Sequence, residues 1–225
     1  MKLTLSGILV GAVALSACST TGTTTTTTPT TGTTTTGTAT AGSGTVSTDT
    51  DFVVLFNSRE TPNDEALETL GWSNVQFGAV NEVTVGGVDF VVGTNGETAY
   101  GYSGVRDATD VGTTVLTGTA TYTSDYKVVQ LSELTSDGTS LSGRADTDTG
   151  IINLTADFDG NTLTGNDGDL NVLGTLIGGT LSGAVTYGGV AGSLNGSAGS
   201  DGVAGAFHGS NATTVYAGGF VGPRD

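Results

Sequence analysis

The chain has 225 residues, with 22 acidic against 6 basic side chains, a formal net charge of −16 and a single cysteine. That balance argues against nucleic acid, whose phosphates need basic partners, and against an anionic lipid surface; acidity of this kind serves solubility, with a basic partner or a cation as the alternative. With 38 Gly and only 3 Pro, the composition excludes collagen and fits many short strands joined by tight turns.

At the N-terminus, Lys2 supplies a positive charge and Leu3 to Leu15 an apolar run of signal-peptide length, too short to span a membrane. Leu15-Ser16-Ala17-Cys18 follows directly and resembles the lipobox of bacterial lipoproteins. The resemblance implies removal of residues 1–17 and acylation of Cys18, leaving five basic against 22 acidic side chains. The alternative is an ordinary secretory signal with a coincidental cysteine. Each buried methylene contributes about 0.8 kcal/mol, so two or three acyl chains hold a protein at the membrane essentially permanently. Ser19 stands where the lipoprotein inner-membrane retention signal would place Asp, which favours the outer membrane. With Cys18 consumed, no thiol remains for a disulfide.

Residues 18–50 are almost entirely Thr with Gly, Ala and Ser. Nothing there buries apolar area, so a disordered tether is expected. Its r.m.s. reach would be about 30 Å.

Residues 51–112 read as a small β-rich subdomain. Phe52–Phe56 has the apolar run of a buried strand. Thr61 to Gly71 carries helix signals: Thr61 as cap, Pro62 in the first position, early acids and a closing Gly71. Strands are expected at 72–78, 82–85, 88–92 and 98–105, with Gly86-Gly87 and Asn95-Gly96 as turns.

From residue 113 to 222 the dominant signal is alternation. Leu116, Gly118, Ala120 and Tyr122 share one face against Thr117, Thr119 and Thr121; Leu181, Gly183, Val185 and Tyr187 repeat the pattern. Similar faces recur at Ile152–Phe158, Val190–Leu194, Val203–Phe207 and Tyr216–Phe220. Period two means half-buried antiparallel strands, and about eight of them suffice to close a barrel filled by its own side chains. A membrane barrel points its apolar face outward with aromatic girdles. Here the polar face is Thr, Ser, Asn and Asp, so the apolar face is the interior. The expectation is an all-β chain with an eight-stranded antiparallel soluble barrel, its apolar-Gly-apolar repeats filling the inside and leaving ligands to loops and strand ends.

Ala156-Asp157-Phe158-Asp159-Gly160-Asn161-Thr162-Leu163-Thr164-Gly165, Gly205-Ala206-Phe207-His208-Gly209 and Ala217-Gly218-Gly219-Phe220-Val221-Gly222 resemble the barrel of the transferrin-binding protein B family of surface lipoproteins. The likeness covers about half the chain, as a single lobe, with residues 51–112 in the place of the family's β-rich handle. It implies an outer-membrane lipoprotein, often surface-exposed, that binds a host protein or an iron or haem source, sometimes with a TonB-dependent transporter. The short loops here depart from members that hold transferrin. A structural envelope role without a nutrient ligand is the rival reading.

Catalytic groups are sparse. His208 is the only histidine and, by strand parity with Ala204 and Ala206, is expected to face solvent. Tyr100, Tyr102, Tyr122, Tyr126, Tyr187 and Tyr216 are the phenols that iron or haem would use, although the inward ones suit barrel filling. Asp157, Asp159 and Asn161, followed by Asp167 and Asp169, lack the Gly and Glu of a calcium loop, and Asp159-Gly160-Asn161 reads as a hairpin turn. Gly101–Gly104 has no lysine or helix for a phosphate loop. The chain is therefore read as a non-enzymatic monomeric binding protein, with Trp72, Arg59, Tyr102 and Arg106 as ligand contacts at the loops and the subdomain–barrel seam.

Overall fold

The computed structural model describes residues 72–106, 111–112 and 116–225, and the backbone of three short strand segments nearer the N-terminus. The strands are β1 (Thr38–Ala41), β2 (Phe56–Asn57), β3 (Thr61–Pro62), β4 (Ser73–Glu82), β5 (Gly86–Asn95), β6 (Thr98–Arg106), β7 (Thr119–Ser136), β8 (Leu141–Asp157), β9 (Thr162–Asn166), β10 (Leu170–Ile177), β11 (Thr180–Tyr187), β12 (Val190–Ala198), β13 (Gly202–Ser210) and β14 (Val215–Pro223). Strands β7 to β14 form a closed antiparallel barrel in which each pairs with its sequence neighbour and β14 returns to β7. The barrel closes at β7, which carries β14 on one side over Asp125–Leu131 and β8 on the other.

The expected interior is the observed one. Tyr122, Ile152, Leu154, Leu194, Phe207 and Phe220 belong to one buried cluster inside the barrel. Its glycines make room for rings: a Cβ on Gly205 would stand 2.3 Å from the Phe220 ring, and one on Gly218 2.7 Å from that of Phe207. Turns are tight where both central residues can take positive φ, as at Gly178-Gly179 (58° and 84°) and Gly188-Gly189 (53° and 80°). In the β8–β9 turn Asn161 has φ 57°, and the Asp157 carboxylate accepts the Asp159 and Gly160 N–H groups at 3.1 and 2.8 Å.

Not all large apolar groups point inward. Val129, Leu131, Leu134, Leu141, Val215 and Val221 lie outside the barrel wall and pack on one face of the sheet β6-β5-β4, chiefly Val88, Phe90, Val92 and Val105. Strands β13 and β14 are therefore buried on both faces. That second layer accounts for their run of small and apolar residues on both parities. Ile151, Leu173 and Ile177 are the large aliphatics left on the polar side of the wall, 60 %, 60 % and 71 % exposed.

Three local expectations change. Residues 82–85 do not form a strand: β4 ends at Glu82, whose carboxylate accepts Thr84 N–H and hydroxyl at 2.6 Å each, and the chain turns through Val83–Val85. Gly86-Gly87 accordingly opens β5 instead of forming the turn. Thr61 and Pro62, expected as helix cap and first helical position, pair with Asn57 and Phe56 as β3, while residues 63–71 lie outside the described residues. Within the Thr-rich segment, Thr38–Ala41 forms β1, parallel to β6 in register Thr38↔Thr98 to Ala41↔Gly101.

Candidate functional site

Alternation along β5 and β6 gives the handle sheet two faces. Val88, Phe90, Val92, Ala99 and Val105 face the barrel; Val91, Gly93, Tyr100 and Tyr102 come between them in register and face away. On the outer face the indole of Trp72 lies over Gly93, where an added Cβ would stand 2.5 Å from the ring. Gly93 is thus the seat of the tryptophan.

What turns Trp72 onto this face is an irregularity at the start of β4. The β4–β5 register shifts between Ser73 and Gln76, and Asn74 has φ 53°. The Asn74 amide donates to Thr94 Oγ1 at 3.0 Å and to the Leu141 carbonyl at 3.1 Å, which fixes the bulge to both β5 and the barrel. Bulges of this kind re-aim a side chain. Trp72 stacks on Tyr100 with centroids 5.4 Å apart at 29°, Tyr102 lies 6.1 Å from Trp72, and the two phenols are 6.3 Å apart at 10°. Val75, Phe77 and Tyr102 pack with Trp72 around buried Val91. The result is a half-exposed aromatic surface with a rigid sheet beneath it.

Arg106 lies on the same face but away from the rings. It is four residues beyond Tyr102, roughly 13 Å along the strand. Its Nε stands 3.4 Å from Asp89 Oδ2, and its Nη2 donates to Asn81 Oδ1. Asp89 is 3 % exposed, so the guanidinium balances a buried carboxylate that would otherwise be costly. Arg106 is tied into β4 and β5 as a clamp. Trp72 and Tyr102 are brought together, Arg106 is kept apart, and all three lie on the face away from the barrel, not in the seam. Arg59 and Cys18 lie outside the described residues.

His208 is not at the surface. It is 7 % exposed, flanked by Ser193 and Ala217 on the neighbouring strands, and Nδ1 has no hydrogen-bond partner. The parity argument holds, but the outer wall of β13 is covered by the handle. Burial without a partner lowers its pKa to about 4.

The inward phenols are engaged. Tyr122 donates to the Gly199 carbonyl at 2.9 Å and Tyr216 to that of Val190 at 3.1 Å; Tyr126 and Tyr187 donate to Asp148 Oδ2 at 3.4 and 3.2 Å. Burial raises all four above the usual phenol range, with Asp167 and Asp148 adding to the rise at Tyr126 and Asp148 at Tyr187. Groups held protonated in this way make poor phenolate ligands. Sequence reasoning missed two arrangements: the Asp89–Arg106–Asn81 clamp, signalled by an acid inside the run Val88–Val92, and the carboxylates at the barrel mouth, which needed the strand register to be seen together.

A closed β-barrel carrying a handle sheet with an aromatic outer face is the class of protein that the fold and site define. No protein-family model matches the chain, and no curated protein matches its sequence. Among solved structures it is similar to the apo haemoglobin receptor HpuA from Kingella denitrificans, at 15 % identity over 68 % of this chain and 62 % of that one, TM-score 0.40. Transferrin Binding Protein B from Haemophilus parasuis Hp5 aligns at 12 % identity over 66 % and 37 %, TM-score 0.41. The isotype 1 protein of that name from serogroup B Neisseria meningitidis aligns at 15 % over 66 % and 36 %, TM-score 0.38. The chain thus spans less than two thirds of the length of each of these neighbours. Overlap at this level bears on neither ligand nor partner.

Proposed function

We propose that this chain is a non-enzymatic binding protein of the cell envelope, tethered to the outer membrane through acylated Cys18 and exposed at the surface. Its ligand is a host or environmental protein, or an iron or haem source, with a TonB-dependent transporter as a further partner. The observation that supports this is the outer face of the handle: Trp72, Tyr100 and Tyr102 stacked, half exposed and seated on Gly93. Aromatic residues held rigidly on a sheet offer large contact area at little entropic cost, the property of binding hot spots. Against catalysis stand the burial of His208, with Nδ1 unpartnered, and phenols committed to hydrogen bonds.

Trp72 is the only tryptophan, so its emission reports occupancy of this face directly for haem or any other ligand that carries no tryptophan. Host or environmental fluid, and haem separately, are passed over the immobilised chain and its Trp72→Ala variant. Loss of an aromatic anchor of about 2 kcal/mol weakens retention roughly 30-fold, and bound material shifts or quenches the wild-type emission. Equal retention by both forms, or retention with unchanged Trp72 emission, moves the contact elsewhere; retention of nothing by the wild type defeats the binding reading.

A further inference from the structure

Strand β8 is longer than the barrel needs. It pairs with β7 from Leu141 to Asp157, but with β9 only from Leu154 to Asp157. Among the described residues no strand pairs with its other side from Ser142 to Ile152, about 35 Å of extended backbone. Burial agrees: residues 142–147 are exposed on both parities, where the strand further on alternates. Alternate residues there present N–H and C=O groups to water, the template for adding another strand.

Charge decides what that strand would be. Arg144, Asp146 and Asp148 lie opposite Ser132, Gln130 and Val128 on the same face of the wall, with Arg144 Nη2 3.7 Å from Asp146 Oδ2. Asp167 and Asp169 stand in the β9–β10 turn, at the point where β9 leaves β8, and act on the same phenols as Asp148. A second copy laid antiparallel and centred on Thr147 would bring Asp146 against Asp148, and like charges opposed on a sheet are destabilising; centred on Ala145 it would set Arg144 against Asp146, and the carboxylates of the barrel mouth would still outnumber that one cation. A segment with cationic side chains at alternate positions meets opposite charge at the same places. Prolines, which natural edges use to prevent pairing, are absent from β8.

We propose that the open edge of β8 between Ser142 and Ile152 docks an extended basic polypeptide segment, which adds as a strand and turns its cationic side chains toward the carboxylates at the barrel mouth. The edge belongs to the barrel and the aromatic rings to the outer face of the handle, so loss of ligand on Trp72→Ala leaves this surface intact and the two readings fail separately.

The test uses the full chain and three peptides of about ten residues, enough to cover the edge: alternating Lys-Thr, alternating Glu-Thr and alternating Lys-Pro. Binding is followed by anisotropy and by deuterium exchange. The Lys-Thr peptide is expected to bind and to slow exchange across 142–152 selectively; Asp146→Asn weakens it by up to roughly fivefold, the effect of one exposed charge pair. The Lys-Pro peptide keeps the charge but loses every second backbone donor, and its prolines fix φ near −65°, away from an antiparallel strand, so it is expected to give no protection. Equal binding of Lys-Pro and Lys-Thr would reduce the effect to charge attraction and overturn strand addition. So would failure of Lys-Thr to exceed Glu-Thr, or protection of 142–152 in the free chain equal to that of β7. A concentration-dependent dimer protecting the same amides would assign the edge to a second copy and likewise overturn the proposal.

Discussion

Protonation of His208 sets an acid limit on stability that can be calculated. Its side chain is buried between the barrel wall and the handle, and its pKa falls from the usual 6.5 to about 4 because burial penalises the cation. Above pH 6.5 the imidazole is neutral in both folded and unfolded chains and costs nothing. Between pH 6.5 and about 4 the unfolded chain binds a proton that the folded chain does not, so stability falls as pH falls through that window. The loss is about 2 kcal/mol at pH 5 and levels off near 3 kcal/mol once both states are protonated. The flanking Ser193 and Ala217 carry no charge that would offset it. Urea unfolding followed by Trp72 emission at pH 7 and pH 5 measures the effect, expected as a midpoint lower by about 1 M at pH 5. His208→Gln pays a constant cost for a buried amide but does not titrate, so subtracting its pH dependence removes the carboxylates. Parallel loss of stability in wild type and variant between pH 6.5 and 4.5 would refute the reasoning.

Two further substitutions probe the barrel filling. Gly205→Ala places a methyl 2.3 Å from the Phe220 ring, and is expected to destabilise by about 1–3 kcal/mol through overpacking, lowering Tm by a few degrees per kcal/mol; an unchanged Tm would mean that the ring has room to move. Tyr216→Phe deletes the buried hydroxyl that donates to the Val190 carbonyl at 3.1 Å, costing about 1 kcal/mol. Its readout is the urea midpoint at pH 7, where a gain in stability would show the hydrogen bond to be worth less than the desolvation of its partners.

Much of the barrel was legible because its signal is local. Val172 and Leu176 on β10, and Leu181 and Val185 on β11, are four residues apart within their strands and all point inward, a periodicity fixed by the pleat whatever lies across from it. Asn95-Gly96 and Asp159-Gly160-Asn161 placed two turns for an equally local reason, Gly96 and Asn161 both taking φ 57°. Where several backbone states competed, composition misled. Thr61-Pro62 carries a good helix start and pairs as β3 instead, because strand partners decided what propensity alone could not. The handle was likewise under-read: Ala204 and Ala206 alternate with Val203, Gly205 and Phe207, and apolar residues on both parities already signalled a strand covered on both sides.

At the candidate sites, the sequence determined which residues were available: one tryptophan, a few phenols, one histidine and an excess of acids. Trp72, Gly93, Tyr100 and Tyr102 become a single surface only through the β4–β5–β6 register and the bulge at Asn74. Tertiary structure alone separated Arg106 from that surface, by giving it the buried Asp89 to neutralise, and alone buried His208 under the handle. Among the described residues it also left one side of β8 without a strand partner before Leu154, since β9 is five residues long where β8 has 17. Side-chain direction is set every two residues along one strand, but pairing, coverage and charge balance depend on partners far away in the chain, and those only the closed fold brings together.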